Sequence, residues 1–304
     1  MNNSVAVKRA APNKAAVSKK KASQKRRRIF DAVWSNALTV ILAILWLIPV
    51  IYVIIFSFSD QKFFIIPNGF LPTGYTFNNY ISIFTQSDNV IKFTDWYVNT
   101  LILSLCNCIL VTFFTVITAF VLSRFRFKGR KFLMNVTMIL GMFPGFMSMV
   151  AVFLILNLIG LIDSYWAMLL YWVAGAGLGY FVTKGYFDTI SNDIDEAAKL
   201  DGASQARLFF QIYIPLAKPV IIYTALTAFM APWADYILSS IVITSSANRT
   251  IGYGLYSLMT ADHINTYFTR FCAASVVVAL PIVVLYIALQ RFFVAGISAG
   301  AVKG

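Results

Sequence analysis

Long uncharged stretches alternate with short charged ones along this chain. Ala32–Ser59 runs for 28 residues without an Asp, Glu, Lys or Arg. Trp96–Ser123, Phe132–Ile162, Ser164–Thr183 and Phe271–Gln290 are equally uncharged, and a sixth run, Pro219 to about Ile243, holds one acid, Asp235. A helix needs about 20 mostly apolar residues to cross a hydrocarbon core roughly 30 Å thick. Lipid offers backbone polar groups no partner, so runs of this length must satisfy their own hydrogen bonds as helices. The alternating pattern of a membrane barrel is missing. The pattern predicts an all-α integral membrane protein with six transmembrane helices.

The charges between the runs predict orientation. Residues 1–31 hold ten Lys or Arg against one acid, Asp31. With hardly a large apolar side chain before Ile29, this segment is expected to be a disordered basic tail, followed by a membrane domain over 32–304. The apolar run behind it is too long for the core of a signal peptide. Basic residues concentrate in cytoplasmic loops. Loops on the tail's side carry twenty-one Lys or Arg and the alternate loops four, which puts both termini inside. Two long loops, about 59–96 and 244–270, then face out.

Composition agrees. The chain is 59% hydrophobic and 12% charged, where soluble proteins average about 45–50% and 25%. A net charge of +13 would suit a nucleic-acid binder. Most of that charge sits in residues 1–31, so it reads as a cytoplasmic tail meeting anionic headgroups, and no nucleic-acid partner is expected. Three cysteines exclude a disulfide scaffold, and Cys106 and Cys108 lie two apart on different faces of a helix, with no second pair for a metal. His263 is the only histidine, so zinc-protease and Ser-His-Asp chemistry lack parts. There is no Walker A motif. No catalytic residue, metal or cofactor is expected in this chain.

Three features inside the runs carry alternatives. Gly141-Met142-Phe143-Pro144-Gly145 reads as a structural kink, or as a hinge or cavity wall on a translocation path. Gly175 and Gly179, four apart on one face, suit close helix–helix approach. The flanks of Gly175, Gly177 and Gly179 are too apolar, with no preceding strand, for a phosphate loop. Asp235 is the one acid deep in a run, a functional candidate by default, or a carboxylate meeting water at the outer end.

The loop between the fourth and fifth runs, about 188–218, is the informative segment. Glu196 is the only glutamate of the chain. Asp193 and Glu196 stand in capping-box spacing, which predicts a helix starting near Ile194. Gly202 sits where a C-terminal cap belongs, and Ser204 can cap a second short helix ending before Pro215. A helix–turn–helix at the membrane surface results, offering an acid, small residues and apolar Leu200, Leu208 and Phe209.

Glu196-Ala197-Ala198, three residues, Gly202, nine residues, then Ile212-x-Ile214-Pro215 resembles the EAA loop of ATP-binding-cassette importer permeases. That family usually has Leu where Ile214 stands. Spacing, cytoplasmic side and position before the fifth run agree. The resemblance extends over nearly the whole chain from about residue 35. Tyr180-Phe181-Val182-x-Lys184-x-Tyr186-Phe187, Arg291-Phe292-Phe293 and the closing Gly296–Gly304 are similar to the carbohydrate-uptake branch. Gly252-x-Gly254-Leu255-Tyr256-Ser257 is similar to the second permease subunit of maltose/maltodextrin importers.

The resemblance implies the type I importer permease fold and one half of a permease heterodimer in a bacterial plasma membrane. It implies two cytoplasmic ATPases that bind ATP and Mg, an extracellular solute-binding protein, and a sugar substrate, malto-oligosaccharides above others. Glu196, Ala197, Ala198, Gly202, Ile212 and Pro215 would dock on an ATPase. Asn248, Arg249, Gly252 and Gly254 would lie in the loop that meets the binding protein, where the glycines allow either a reaching hairpin or an ordinary solvated loop. Pro144, Gly145 and Asp235 are the candidates for the translocation path. Rival readings are the same machinery for glycerol phosphate or polyamine, a secondary transporter, and a membrane anchor using the basic tail.

Overall fold

The computed structural model describes residues 14–61, 71–85, 91–143, 145–176, 179–260 and 262–301. The chain divides into two compact units, Met1–Val53 and Ile54–Gly304. The first is the body of a long helix, α1 (Lys14–Ser57). Residues 14–31 lie within this helix. Ala, Lys, Arg and Gln dominate that stretch, and all favour helix. Residues 1–13 lie outside the described residues. An 18-residue window within Phe30–Ser57 has a mean hydropathy of 2.9, and none of its residues is buried. Trp34, Ile44 and Trp46 are among the exposed ones.

The second unit is built around α3 (Phe93–Arg124). Before it comes the short α2 (Asn78–Thr85). After it come α4 (Arg130–Gly141), α5 (Gly145–Leu158), α6 (Tyr165–Ala176), α7 (Phe181–Asp188) and α8 (Asn192–Leu200). Next are α9 (Gln205–Leu216), α10 (Lys218–Ala234), α11 (Ile237–Val242), α12 (Ile251–Leu258) and α13 (Ile264–Ala301). Among the described residues β pairing is one isolated bridge, Ser59 to Tyr75. α3 packs along α6, α7, α10 and α12, and α10 also packs on α13.

Among the described residues, four helical stretches are long and apolar enough to cross a membrane: Phe30–Ser57, Phe93–Arg124, Tyr165–Asp188 and Ile264–Gln290. A fifth is reached if α9 and α10, bent by 82° at Ala217, count as one. The run Phe132–Ile162 is broken into α4 and α5 around Met142 and Phe143. The residue before a proline is pushed out of the helical region, and Phe143 precedes Pro144. Pro144 itself lies outside the described residues. The run from Pro219 is likewise broken, at Asp235 and Tyr236.

Pro232 lies inside α10. A proline has no N–H, so the carbonyl four residues back loses its helical donor. That carbonyl belongs to Ala228, and the Asn107 side-chain amide on α3 donates to it at 2.7 Å. A neighbouring helix satisfies the freed group, as backbone in lipid requires.

Three buried clusters fill the second unit. One lies at the Arg124 end of α3, around Phe120, Phe187, Phe209 and Tyr213. Another lies at the Trp96 end, around Phe93, Trp96, Trp233 and Ile251. The third joins Leu103, Met168, Leu238 and Val242. Gly175 and Gly179 are not in a tight helix contact within this chain. A Cβ on Gly175 would meet nothing within 4 Å, and one on Gly179, in the turn after α6, only the Ala176 and Gly175 carbonyl oxygens, at 3.8 and 4.0 Å.

Candidate functional site

The loop 188–218 folds as two short capped helices. Ser191, not Asp193, caps α8: its backbone is extended and its Oγ accepts from the Asp193 N–H at 3.2 Å. The helix thus begins at Asn192, two residues before the expected start, and the Asp193–Glu196 capping box does not form. Asp193 and Asp195 fall in the first turn, where the helix dipole favours acids.

Gly202 closes α8 as expected. Its φ is +76°, in the left-handed region that costs an L-residue roughly 1–2 kcal/mol. The Gly202 N–H donates to the Lys199 carbonyl at 3.0 Å and the Ala203 N–H to the Ala198 carbonyl at 2.9 Å. These are the two bonds of a Schellman cap. Ser204 caps α9, its Oγ accepting from the Arg207 N–H at 3.2 Å. α9 passes through a π-helical stretch, Leu208–Tyr213, and continues past Pro215 to Leu216. It therefore does not end before Pro215. Ala217 turns the chain into α10.

What holds this pair to the membrane domain is Arg124, the last residue of α3. One guanidinium nitrogen donates to Asn192 Oδ1 at 2.5 Å and the other to the Phe187 and Ile190 carbonyls at 2.6 and 2.8 Å. A cation thereby meets the carbonyl end of α7, at the negative pole of its dipole. The guanidinium also lies 3.7 Å from Asp195 Oδ2, with side-chain exposures of 6% and 11%, and 4.8 Å over the Tyr213 ring. Tyr213 donates its hydroxyl proton to Asp195 Oδ1. Burial, then that hydrogen bond, push the Tyr213 phenol above its ordinary range, so its proton stays in place. Around the clamp, Phe120 packs edge-on or tilted against Phe187, Phe209 and Tyr213, with ring centroids 4.8–6.2 Å apart.

Glu196 and Ala197 are exposed while Ala198 is buried in the cluster. The Ala pair thus has two separate jobs: one methyl fits the domain, the other leaves the outer face low. Leu200 is 90% exposed and Phe210 60%, so the outer face also carries unpartnered apolar side chains. Pro215 and Gly202 lie on that surface and Ile212 is half-buried. The sequence reading missed Arg124, Asp195 and Tyr213. Their signal, a buried acid and a tyrosine in an otherwise solvated loop, becomes visible only in three dimensions.

At the other end of α3 the segment 244–250 is pinned. Asp163, with φ +64°, accepts from the Thr244 and Ser245 N–H groups at 3.0 and 2.9 Å and from the Ser245 hydroxyl at 3.0 Å. Asn248 donates to the Asp163 carbonyl at 3.0 Å. Asn99 donates to the Ala247 and Arg249 carbonyls at 2.8 and 3.0 Å. The Ser245 N–H, ahead of its other donors, holds the Asp163 carboxyl below the usual carboxylate range.

Gly252 and Gly254 sit inside α12, in neither a reaching hairpin nor a solvated loop. A Cβ on Gly254 would stand 2.2 Å from the Trp96 ring and one on Gly252 2.6 Å from the Asp235 carbonyl oxygen. They are glycines because another element occupies the space. Arg249 lies over the Tyr253 ring at 4.8 Å. Asp235 caps α11, accepting from the Leu238 and Ser239 N–H groups at 3.0 and 3.3 Å. Its local duty is structural, at the break in the fifth run. Gly145 is exposed at the start of α5.

Several apolar helices long enough to span lipid, with a capped helix pair clamped to the end of one of them, define a polytopic helical membrane protein. Residues 111–298 match the family described as binding-protein-dependent transport system inner membrane component. The chain belongs to that family and is an inner-membrane component. It is 34% identical over 288 residues to the galactooligosaccharides transport system permease protein GanQ of Bacillus subtilis, covering 93% of this chain and 99% of that one. It is 37% identical over 213 residues to the maltodextrin transport system permease protein MdxG of the same organism, covering 70% and 76%. The crystal structure of a bacterial ABC transporter that imports the acidic polysaccharide alginate matches the fold. Its TM-score is 0.73 at 24% identity, over 88% of this chain and 97% of that one.

Proposed function

We propose that the chain is a permease subunit of an ATP-driven, binding-protein-dependent importer of oligosaccharides. In this reading six spans have both termini in the cytoplasm. α4 with α5, and α10 with α11, are two of those spans, each broken in the bilayer. The Arg124 end of α3 is then cytoplasmic, in keeping with the concentration of Lys and Arg there. The chain lines the path together with a second, different permease. Two ATPases, which supply the ATP and Mg sites, drive it.

The observation that carries the mechanism is the clamped helix pair α8–α9. Glu196, Ala197, Gly202 and Leu200 face outward on a unit whose inner side is fixed by Arg124, Asp195 and Tyr213. When an ATPase groove moves that face, displacement passes to α3 through the clamp and to α10 through the turn at Ala217. A loose loop would absorb the motion instead. On the outer side, Asn248 and Arg249, held in a fixed segment, are the residues that meet a solute-binding protein.

The likeness to a maltodextrin permease supports malto-oligosaccharides as substrate. The likeness to GanQ, over more of the chain, supports galacto-oligosaccharides as the second reading. Purification through a tag on this chain tests the assembly: two ATPase copies and one different permease are expected. In vesicles, Glu196→Ala is expected to lose sugar uptake while ATP hydrolysis continues. Normal uptake by that variant would overturn the coupling role.

A further inference from the structure

A cleft of about 340 Å³ lies between α3, α6, α7 and α10. Ligand pockets typically run from about 300 to 1,000 Å³, apolar with a few placed polar groups. Asn107, Thr115, Thr183, Thr224 and Thr227 supply polar groups, and Trp172 and Tyr223 also line it. Gly175 and Gly179 lie on its wall, where their missing side chains leave open space rather than a helix contact.

The hydrogen-bond inventory of the threonines is one-sided. Asn107 is 1% exposed, and its amide donates one proton to the Ala228 carbonyl. Its Oδ1 is buried without a partner, a state that costs about 1–3 kcal/mol in folded proteins. Thr227 donates to the Tyr223 and Thr224 carbonyls at 3.0 and 2.9 Å. Thr115 is directed at the Ala176 carbonyl at 3.5 Å. Thr224 donates to the Val220 carbonyl at 2.9 Å, so in its 3.2 Å pair with Thr183 the proton comes from Thr183. The threonine hydroxyl protons are directed inside the protein, which leaves their oxygens as acceptors, while Asn107 keeps one N–H. Ligand hydroxyls, which both donate and accept, complement such a lining. No Asp, Glu, Lys, Arg or His lines the cleft, so nothing there compensates a charge, and a desolvated charge is costly.

We propose that this chain itself carries a subsite for an uncharged, hydroxyl-rich ligand, one sugar ring of the transported oligosaccharide, in this cleft. The proposal rests on the importer reading above and narrows it. Phosphate esters, polyamines and uronates do not fit the lining; neutral glycans do.

The test uses the complete complex in proteoliposomes with saturating binding protein and radiolabelled maltotriose and galactotriose. Thr227→Val removes an acceptor at an exposed helix position without changing shape. It is expected to slow uptake about threefold to tenfold, the worth of one hydrogen bond. Gly175→Leu fills the cleft from a position where an added Cβ meets nothing, and is expected to cut uptake at least tenfold while the complex still co-purifies intact. Wild-type uptake rates in both variants would overturn the subsite. So would failure of Gly175→Leu to assemble with the second permease, which would make the cleft a seat for a partner helix. A wild-type complex that takes up neither sugar is a different result, and overturns the importer reading itself.

Discussion

Replacing Asp195 by Ala should loosen the helix pair α8–α9 without unfolding the membrane domain. Two losses can be sized. The Tyr213 hydroxyl, buried and donating to Asp195, would lose its acceptor, at about 1–3 kcal/mol. Arg124 would lose its carboxylate at 3.7 Å. Removing one partner of a buried pair costs about 3–5 kcal/mol when the remaining charge is bare. Here it is not bare, because Asn192 and the Phe187 and Ile190 carbonyls still accept from it. The combined cost is therefore set at about 3 kcal/mol, which corresponds to roughly 100-fold in a local opening equilibrium. Hydrogen exchange on the purified complex reads this directly. Amides of 192–213 should exchange about 100-fold faster in Asp195→Ala, with those around Trp96 unchanged. Asp195→Asn, which keeps an acceptor for Tyr213, should fall between. Glu196→Ala, one residue on but exposed, should match wild type within about twofold. Equal protection in the Asp195→Ala and Glu196→Ala proteins would refute the clamp.

Two further outcomes follow from the Trp96 end of α3. Asp163, its carboxyl held below the usual range by the Ser245 N–H and hydroxyl, stabilises segment 244–250 at any pH above the unfolded carboxylate value of about 3.9. That contribution is lost as pH falls through the depressed folded value. Exchange rates in 244–250 should thus differ between wild type and Asp163→Asn at neutral pH and converge in acid. Gly254→Ala should destabilise the protein by about 1–3 kcal/mol through overpacking against the Trp96 ring, seen as a lower melting temperature. Gly175→Ala, with open space at its Cβ, should not lower it.

The parts of the molecule legible in the sequence are those governed by nearest neighbours. Lipid forces long uncharged runs into helices, so α1, α3, the pair α6–α7 and α13 were readable from charge spacing alone. Gly202 and Ser204 act on bonds three to five residues away, and their caps were readable for the same reason. The N-cap of α8 was not, because Ser191 and Asp193 are both good caps two residues apart. The Asn192–Arg124 bond belongs with the earlier start. Arg124 looked like one more cytoplasmic base; its partners lie far along the chain. Gly252 and Gly254 looked like loop glycines, since the Asp235 carbonyl and the Trp96 ring that exclude a side chain come from other elements. The break at Met142–Phe143 was readable from Pro144, whereas the one at Asp235 was hidden because both flanks are equally apolar.

The Asn107–Ala228 bond has a mechanical consequence. Within a regular helix, bending at one point means stretching a backbone hydrogen bond, and neighbouring bonds resist together. At Pro232 that bond does not exist. The rung is replaced by an amide reaching across from α3, so α10 is fastened at this level to its neighbour rather than to itself. If α10 tilts relative to α3, what gives way is a single side-chain contact, and the helical ladder on either side stays whole. Asn107 is also one of the residues that line the cleft. The stiffness of the fifth span and the occupancy of that cleft therefore converge on one side chain.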